Sequence, residues 1–145
     1  MNLKRLVLCL LLLLPLPAFT QADNAADPSQ YIGTVLSDLI NNFGIPKNVY
    51  AVRGVAAWQD DVVFVYDNIE FFIFGNRVWQ VKVRTAYDIK DGDTKAAVSR
   101  KMGEGRNFEG YTLYQLPGKA WPVMLRINWD AAGRAADIYI YRSDF

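Results

Sequence analysis

The sequence has little of what most catalytic and metal-binding chemistry requires. It contains no histidine, and its single cysteine, Cys9, lies in a leucine-rich run near the N-terminus. The composition therefore argues against zinc sites, cysteine nucleophiles and imidazole acid–base pairs, because these sites usually require histidine or cysteine. Neither charge is in excess, since 16 Lys and Arg stand against 15 Asp and Glu. A chain so close to neutrality is a poor candidate for binding nucleic acid, and we expect none as a partner.

The N-terminus has the pattern of a signal peptide over residues 1–22. Lys4 and Arg5 precede the apolar run LVLCLLLLLPLPAF, which is too short and too proline-broken for a spanning helix. Small residues at Thr20 and Ala22 predict cleavage after Ala22. We expect a periplasmic or secreted protein whose mature chain has no integral membrane segment and, without cysteine, no disulfide.

The remaining chain predicts one domain. Residues 23–30 are polar and predict a flexible leader, and residues 31–145 predict a single α+β domain. A domain of this size buries roughly two-thirds of the surface that its unfolded chain exposes, so it needs no disulfides or metals to fold.

Two glycine-bounded segments, 59 residues apart, predict two short helices. The first is YIGTVLSDLINNFGIP and the second is IKDGDTKAAVSRKMGEG. Apolar residues at steps of three and four predict helices over about 34–43 and 93–102. Thr34 and Asp93 are the expected N-caps. Gly44 and Gly103 are the expected helix ends.

Strands are predicted after each helix, in segments rich in β-branched and aromatic residues. These segments are 62–66, 69–74, 78–83, 111–116, 123–129 and 136–141. The same order of elements occurs twice, which predicts an α+β fold of two tandem helix-plus-antiparallel-strand repeats, about 31–87 and 88–145. The helices are expected to pack on one face of the antiparallel sheet.

The turn between two of these strands sets the faces of the sheet. Trp79, Val81 and Val83 share one face, which we expect the helices to cover. A two-residue turn at 75–76 would then bury Glu70, whereas a three-residue turn over 75–77 sends it to solvent with Lys82. Because an unpaired buried carboxylate is costly, the three-residue turn is predicted.

That register predicts an open face rich in aromatic and cationic side chains. Its expected members, which are the candidate protein-interface residues, are Phe72, Phe74, Lys82, Met124, Arg126, Tyr139 and Tyr141. Such a composition is typical of protein interfaces. The alternative is that tyrosines merely suit half-exposed strands and that a loop covers the phenylalanines.

The pattern G-T-x4-L-x3-F-G-x-P at Gly33 to Pro46, followed by VVFVYDNIEFFIF and a second helix-and-strands unit, resembles the SmpA/OmlA-like and β-lactamase-inhibitor-protein-like families. The resemblance covers most of the mature chain. It implies an exported, non-catalytic protein that binds another envelope or extracellular protein with its sheet face and hairpin loops. Only this binding mode is carried over, because the chain has no lipobox at Cys9 and its predicted mature form has no cysteine for the inhibitors' disulfides.

The sequence also contains features that would suit three other functions. Asp88, Asp91 and Asp93 lie close together as calcium ligands would, although a turn and a helix cap explain the same residues. A small hydrolase could use Asp60, Asp61 and Asp137 as its carboxylates. A ligand- or lipid-binding protein would enclose an apolar pocket. We expect none of these, and therefore no catalytic residue, no metal and no cofactor.

Overall fold

The computed structural model describes residues 27–53 and 60–144. A 3-10 helix, Pro28–Tyr31, precedes two α-helices, α1 (Leu36–Phe43) and α2 (Lys95–Met102). The first six strands are β1 (Asn48–Val52), β2 (Asp61–Val65), β3 (Ile69–Phe74), β4 (Arg77–Val83), β5 (Thr85–Ala86) and β6 (Ile89–Lys90). After α2 come β7 (Arg106–Phe108), β8 (Tyr111–Leu116), β9 (Val123–Trp129) and β10 (Ala135–Arg142). The predicted signal peptide lies outside the described residues.

Eight of these strands form a single antiparallel sheet in the order β1-β2-β3-β4-β10-β9-β8-β7. β4 and β10 pair at its centre, with Tyr139 opposite Lys82, and so join the two halves of the chain. β5 and β6 form a separate two-stranded hairpin. The predicted fold of two tandem helix-plus-strand repeats is therefore wrong: the described chain is mostly one large sheet with two helices of eight residues each.

The hydrophobic core lies on the face of this sheet that α1 and α2 cover. Leu39 of α1 and Val98 of α2 are fully buried in it. The fully buried strand residues of the same cluster include Phe71, Val81, Leu125, Ile127, Ile138 and Ile140. Phe43 packs edge-on against Phe71, with ring centroids 4.9 Å apart. Burying a side chain of this size contributes about 1.5–3 kcal/mol, so this one-sided core supplies most of the stabilisation of the fold.

The helices end where the sequence predicts but begin slightly later. Gly44 and Gly103 follow the last helical residues with φ of 75° and 79°, a conformation that favours glycine. The predicted N-caps are wrong, since Val35 and Thr94 occupy those positions. Asp93 is engaged elsewhere, because its Oδ2 accepts from the backbone N–H of Lys90 at 3.2 Å.

The 3-10 helix anchors the start of the described chain. Pro28 and Ser29 are buried. Asp27 accepts hydrogen bonds from Ser29, Tyr87 and Lys119. These contacts make residues 27–30, which the sequence assigns to a flexible leader, part of the fold; residues 23–26 of that leader lie outside the described residues.

The hairpin between β3 and β4 also differs from its prediction. Its turn has two residues, Gly75 and Asn76, both with positive φ, and Phe74 pairs directly with Arg77. The additional residue is accommodated by a β-bulge, because Phe72 pairs with Gln80 while the next residue pairs with Val78. Glu70 still faces Lys82, as expected, but the three-residue turn over 75–77 is wrong.

The open sheet face as a candidate protein-binding site

The open face is the surface of the sheet opposite the two helices. Because directly paired residues point to the same side, the pairing of Lys82 with Tyr139, and of Tyr139 with Arg126, places all three there. A neighbouring row pairs Gln80 with Tyr141 and Tyr141 with Met124. Aromatic and cationic side chains therefore alternate across the centre of this face.

A cavity of about 350 Å³ opens in the middle of the face. Its lining residues are Phe72, Trp79, Gln80, Arg126, Asn128, Tyr139 and Tyr141. Four of the seven residues predicted from the sequence, Phe72, Arg126, Tyr139 and Tyr141, thus meet around one depression.

Phe72 forms part of the lining of this cavity without being exposed. It is only 8% accessible, and its ring meets that of Tyr139 edge-on, with centroids 6.2 Å apart. Burial raises the pKa of both Tyr139 and Tyr141, so their hydroxyls are protonated at neutral pH. The lining of the cavity therefore combines aromatic rings with two protonated phenol groups.

The bulge in β4 brings Trp79 to the same cavity. The predicted alternation put Trp79 on the helix-covered face, which is wrong; its indole Nε1 instead donates to Oδ1 of Asp61 at 3.0 Å. Asp61 is nearly buried, and burial raises the pKa of its carboxyl despite this bond. Trp79 is thus a residue of the site that strict alternation could not find.

Lys82 and Glu70 form a polar edge beside the aromatic rings. Nζ of Lys82 lies 2.7 Å from Oδ1 of Asp137 and 5.8 Å from the centre of the Tyr139 ring. Burial alone would lower the pKa of Lys82, but the bond to Asp137 and the neighbouring charges raise it. The Tyr50 hydroxyl donates to Oε2 of Glu70 at 2.6 Å; burial and this bond raise the pKa of Tyr50 to about 12. Both carboxylates of this edge are therefore engaged.

Arg126 is held in place from two sides. Its Nε donates to Oδ1 of Asn128 at 2.8 Å, and its guanidinium carbon lies 4.1 Å from the centre of the Tyr111 ring. Tyr111 in turn stacks on Phe108, with centroids 4.8 Å apart and planes at 10°. This pair is not among the predicted site residues, although the Glu109-Gly110 turn between two aromatic residues is a hairpin signal that points to it.

Two predicted residues lie at the periphery of the cavity. Phe74 is half-buried at the hairpin turn, and Met124 lines a larger hollow of about 650 Å³ near the end of β8. Neither contributes to the lining of the central cavity. The group that meets there is therefore narrower than the seven residues predicted.

Three carboxylates of the competing hypotheses, Asp93, Asp61 and Asp137, are engaged by other side chains. Asp93 accepts from Lys101 at 2.9 Å, and within residues 27–53 and 60–144 no three acidic side chains are grouped as metal ligands. Asp61 binds Trp79, and Asp137 binds Lys82 in a hollow that neither Asp60 nor Asp61 lines. In the described part of the chain, no helix combines the length and apolarity needed to cross a bilayer.

Comparison with known proteins identifies the fold alone. No family model and no curated protein matches the chain. An extracellular protein containing an SCP domain from Bacillus anthracis matches with a TM-score of 0.54 and 10% identity over 90% of this chain. A cysteine-rich secretory protein from Staphylococcus aureus matches with a TM-score of 0.50 and 13% identity over 79% of it. The chain spans about half the length of either structure, 50% and 46% respectively.

Proposed function

We propose that this chain is an exported, non-enzymatic binding module that holds another envelope or extracellular protein on its open sheet face. The observation that carries the proposal is the aromatic cavity of Phe72, Trp79, Tyr139 and Tyr141, set in a face that α1 and α2 leave uncovered. Rigid aromatic side chains lose little conformational entropy on binding, and a few of them often supply most of the affinity of an interface.

Two further observations support this proposal. The N-terminal sequence predicts export, and the two similar structures named above are a secretory and an extracellular protein. The region that resembles this chain makes up about half of each of those two proteins, as is typical of one domain in a larger protein. The binding mode is also the one that the resemblance to SmpA/OmlA-like and inhibitor-like proteins implies.

Site-specific photocrosslinking tests which face meets the partner. A benzophenone amino acid at Gln80 places the reactive group in the central cavity, and the same amino acid at the exposed Asn41 places it on α1. We expect a discrete adduct in a periplasmic or culture-medium extract from the Gln80 variant alone. Equal adducts from both positions, or an adduct from Asn41 only, would contradict the proposal.

A matched pair of truncations separates binding from folding. We expect Tyr141→Ala to abolish the Gln80 adduct while changing the free energy of unfolding by no more than about 1 kcal/mol, as at sites that are not fully buried. Ile45→Ala, at a residue 90% exposed beyond α1, should change neither. A large loss of stability with Tyr141→Ala, and capture that falls only with the folded fraction, would assign Tyr141 a structural role instead.

A further inference from the structure

Among the described residues, Arg126 is a cation without a counter-ion at the central cavity. Within residues 27–53 and 60–144, no carboxylate lies within ion-pair distance of its guanidinium, and its one hydrogen bond runs from Nε to Asn128. Three acidic side chains on or beside the open face are already engaged, Asp137 by Lys82, Glu70 by Tyr50 and Asp61 by Trp79. The terminal nitrogens of Arg126 therefore keep their donors for a group from outside.

The orientation of this guanidinium is fixed before anything binds. The bond to Asn128 and the stacking on Tyr111, at 4.1 Å, hold the planar group from its edge and its face. An arginine that is already ordered loses little side-chain entropy when it accepts a ligand, and its planar donors match the two oxygens of a carboxylate.

The surroundings of Arg126 also favour a carboxylate. Tyr139 and Tyr141 line the same cavity, and their phenol groups remain protonated at neutral pH and can donate hydrogen bonds to an anion. Phe72 and Trp79 supply apolar surface next to these donors. A volume of about 350 Å³ has room for one acidic side chain and part of a neighbouring apolar residue.

We propose that the cavity receives an Asp or Glu side chain of the partner protein, flanked by an apolar or aromatic residue, and that Arg126 is its anchor. This inference rests on the proposed function and names the chemistry that the partner presents. An acidic residue is favoured over a basic or purely apolar one because the only unpaired charge in the cavity lining of the described chain is positive.

Two blocked dipeptides test the anchor directly. Acetyl-Phe-Glu-amide and acetyl-Phe-Gln-amide differ only in charge, and their binding is followed by NMR on the Nε–H signal of Arg126 and the indole N–H signal of Trp79. We expect the Glu peptide to bind about tenfold more tightly, the factor typical of one charge-assisted hydrogen-bonded pair. Arg126→Gln should abolish that difference. Arg106→Gln, which removes an exposed arginine from the edge strand β7, should preserve it.

Several outcomes would overturn the inference. Equal affinities for the two peptides, no signal change with either, or a difference that survives Arg126→Gln would each exclude the carboxylate anchor. Acetate binding as tightly as the Glu peptide would assign the cavity to small free carboxylates instead. A dimer that forms with increasing concentration and is lost in Arg126→Gln would assign it to a second copy of the chain.

Failure of this inference is distinguishable from failure of the proposed function. If the Gln80 adduct forms equally well with Arg126 and with Arg126→Gln, the open face binds a partner but the anchor is wrong. If no adduct forms in either, the protein-binding function fails, while the peptide titration still measures the charge preference of the cavity. The amide spectrum of Arg126→Gln shows whether that variant retains its fold.

Discussion

The indole Nε1 of Trp79 donates a hydrogen bond to Oδ1 of Asp61 at 3.0 Å, joining the bulge of β4 to the first residue of β2. The bond brings a polar indole N–H and a carboxylate together beside the open face. The Asp61 side chain is largely buried as a result, since the residue is only 8% accessible. The bond satisfies one carboxylate oxygen, yet the carboxylate has lost much of its hydration. The stability of the protein should therefore depend on the charge of Asp61.

We expect Asp61→Asn to stabilise the protein at neutral pH. Burial, which is the largest influence, raises the pKa of Asp61; the Trp79 bond lowers it and Asp60 raises it again. A carboxyl whose pKa is raised by folding favours the folded state most below its unfolded pKa of about 4, and this advantage is lost as the pH rises through the folded pKa. Asparagine keeps an acceptor for Trp79 without the charge.

Urea unfolding at pH 7 and pH 3 measures this effect. The midpoint of Asp61→Asn should exceed that of the parent at pH 7 and match it at pH 3, where Asp61 is neutral in both states. Asp38→Asn, at an exposed position in α1, serves as the control. A lower midpoint at pH 7 would mean that the negative charge itself stabilises the bulge.

Most strands of the sheet could be predicted from the sequence, because each buries one face against the helices. β3 and β9 are observed over the predicted ranges, and Phe71, Ile138 and Ile140 point inward as their alternation indicates. β1 was missed because all five of its residues are exposed, so it carries no inward apolar pattern. An edge strand of this kind is specified by its partner, Asp61–Val65, rather than by its own composition.

Only part of the lining of the central cavity could be predicted, and the reason is not the one that applies to β1. Tyr139, Tyr141 and Arg126 follow from regular alternation, because the register shift of β10 lies before Asp137 and leaves the pairs from Ile138 to Arg142 in sequence. Trp79 does not, because the two-residue turn at Gly75 and Asn76 displaces the additional residue into a bulge. A local turn preference and a long-range register compete there, and no periodicity within β4 reveals the outcome. The single continuous sheet, which overturned the predicted repeats, likewise depends on the long-range pairing of β4 with β10.

Acid should loosen the attachment of the N-terminal segment through Asp27. Burial would raise the pKa of this carboxyl, but hydrogen bonds from Lys119, Tyr87 and Ser29 outweigh it and lower the pKa to about 2. A lowered pKa contributes stability that is present above the unfolded value of about 4 and is lost as the pH falls from about 4 to about 2.

Hydrogen exchange of the Ser29 amide, which donates to Oδ1 of Asp27, reports this change locally. We expect its protection to decrease between pH 4 and pH 2, after correction for the intrinsic exchange rate. In Asp27→Asn, protection should be lower at neutral pH and should not change over the same range. An unchanged pH dependence in that variant would assign the effect to another carboxyl.

Gly105 should tolerate no side chain because of the packing between the end of α2 and β8. A Cβ atom at this position would lie 2.6 Å from Cγ2 of Thr112 and 2.7 Å from Cε1 of Tyr114. Thr112 is buried and donates to Asn107, so it cannot move without disturbing another contact. We expect Gly105→Ala to destabilise the protein by about 1–3 kcal/mol, as overpacking does.

Gly118→Ala provides the comparison for that substitution. Gly118 has φ of 71°, but no atom lies within 4 Å of the point that an added Cβ would occupy, so alanine there meets only backbone strain. That strain costs about 1–2 kcal/mol. Thermal unfolding measures the loss of stability in each variant. In amide NMR spectra, Gly105→Ala should shift the signals of Thr112 and Tyr114. Gly118→Ala should leave the same two signals unchanged. Unperturbed signals in Gly105→Ala would contradict the predicted clash.

The Tyr50 hydroxyl should titrate at unusually alkaline pH because of Glu70. Burial is the largest cause, and the hydrogen bond to Glu70 adds to it, raising the pKa of Tyr50 to about 12. A phenol whose pKa is raised by folding contributes stability that is present below about pH 10 and is lost as the pH rises from about 10 to about 12.

Glu70→Gln keeps an acceptor but removes the negative charge, so the pKa of Tyr50 should fall while burial still holds it above its ordinary value. Carbon-13 NMR of labelled tyrosine rings, assigned with Tyr50→Phe, measures the value in each variant. Glu109→Gln, at an exposed turn, should leave it unchanged. A Tyr50 pKa that is the same with and without Glu70 would show that the polar edge of the open face is set by burial alone, and that the 2.6 Å bond does not hold β1 to β3 in solution.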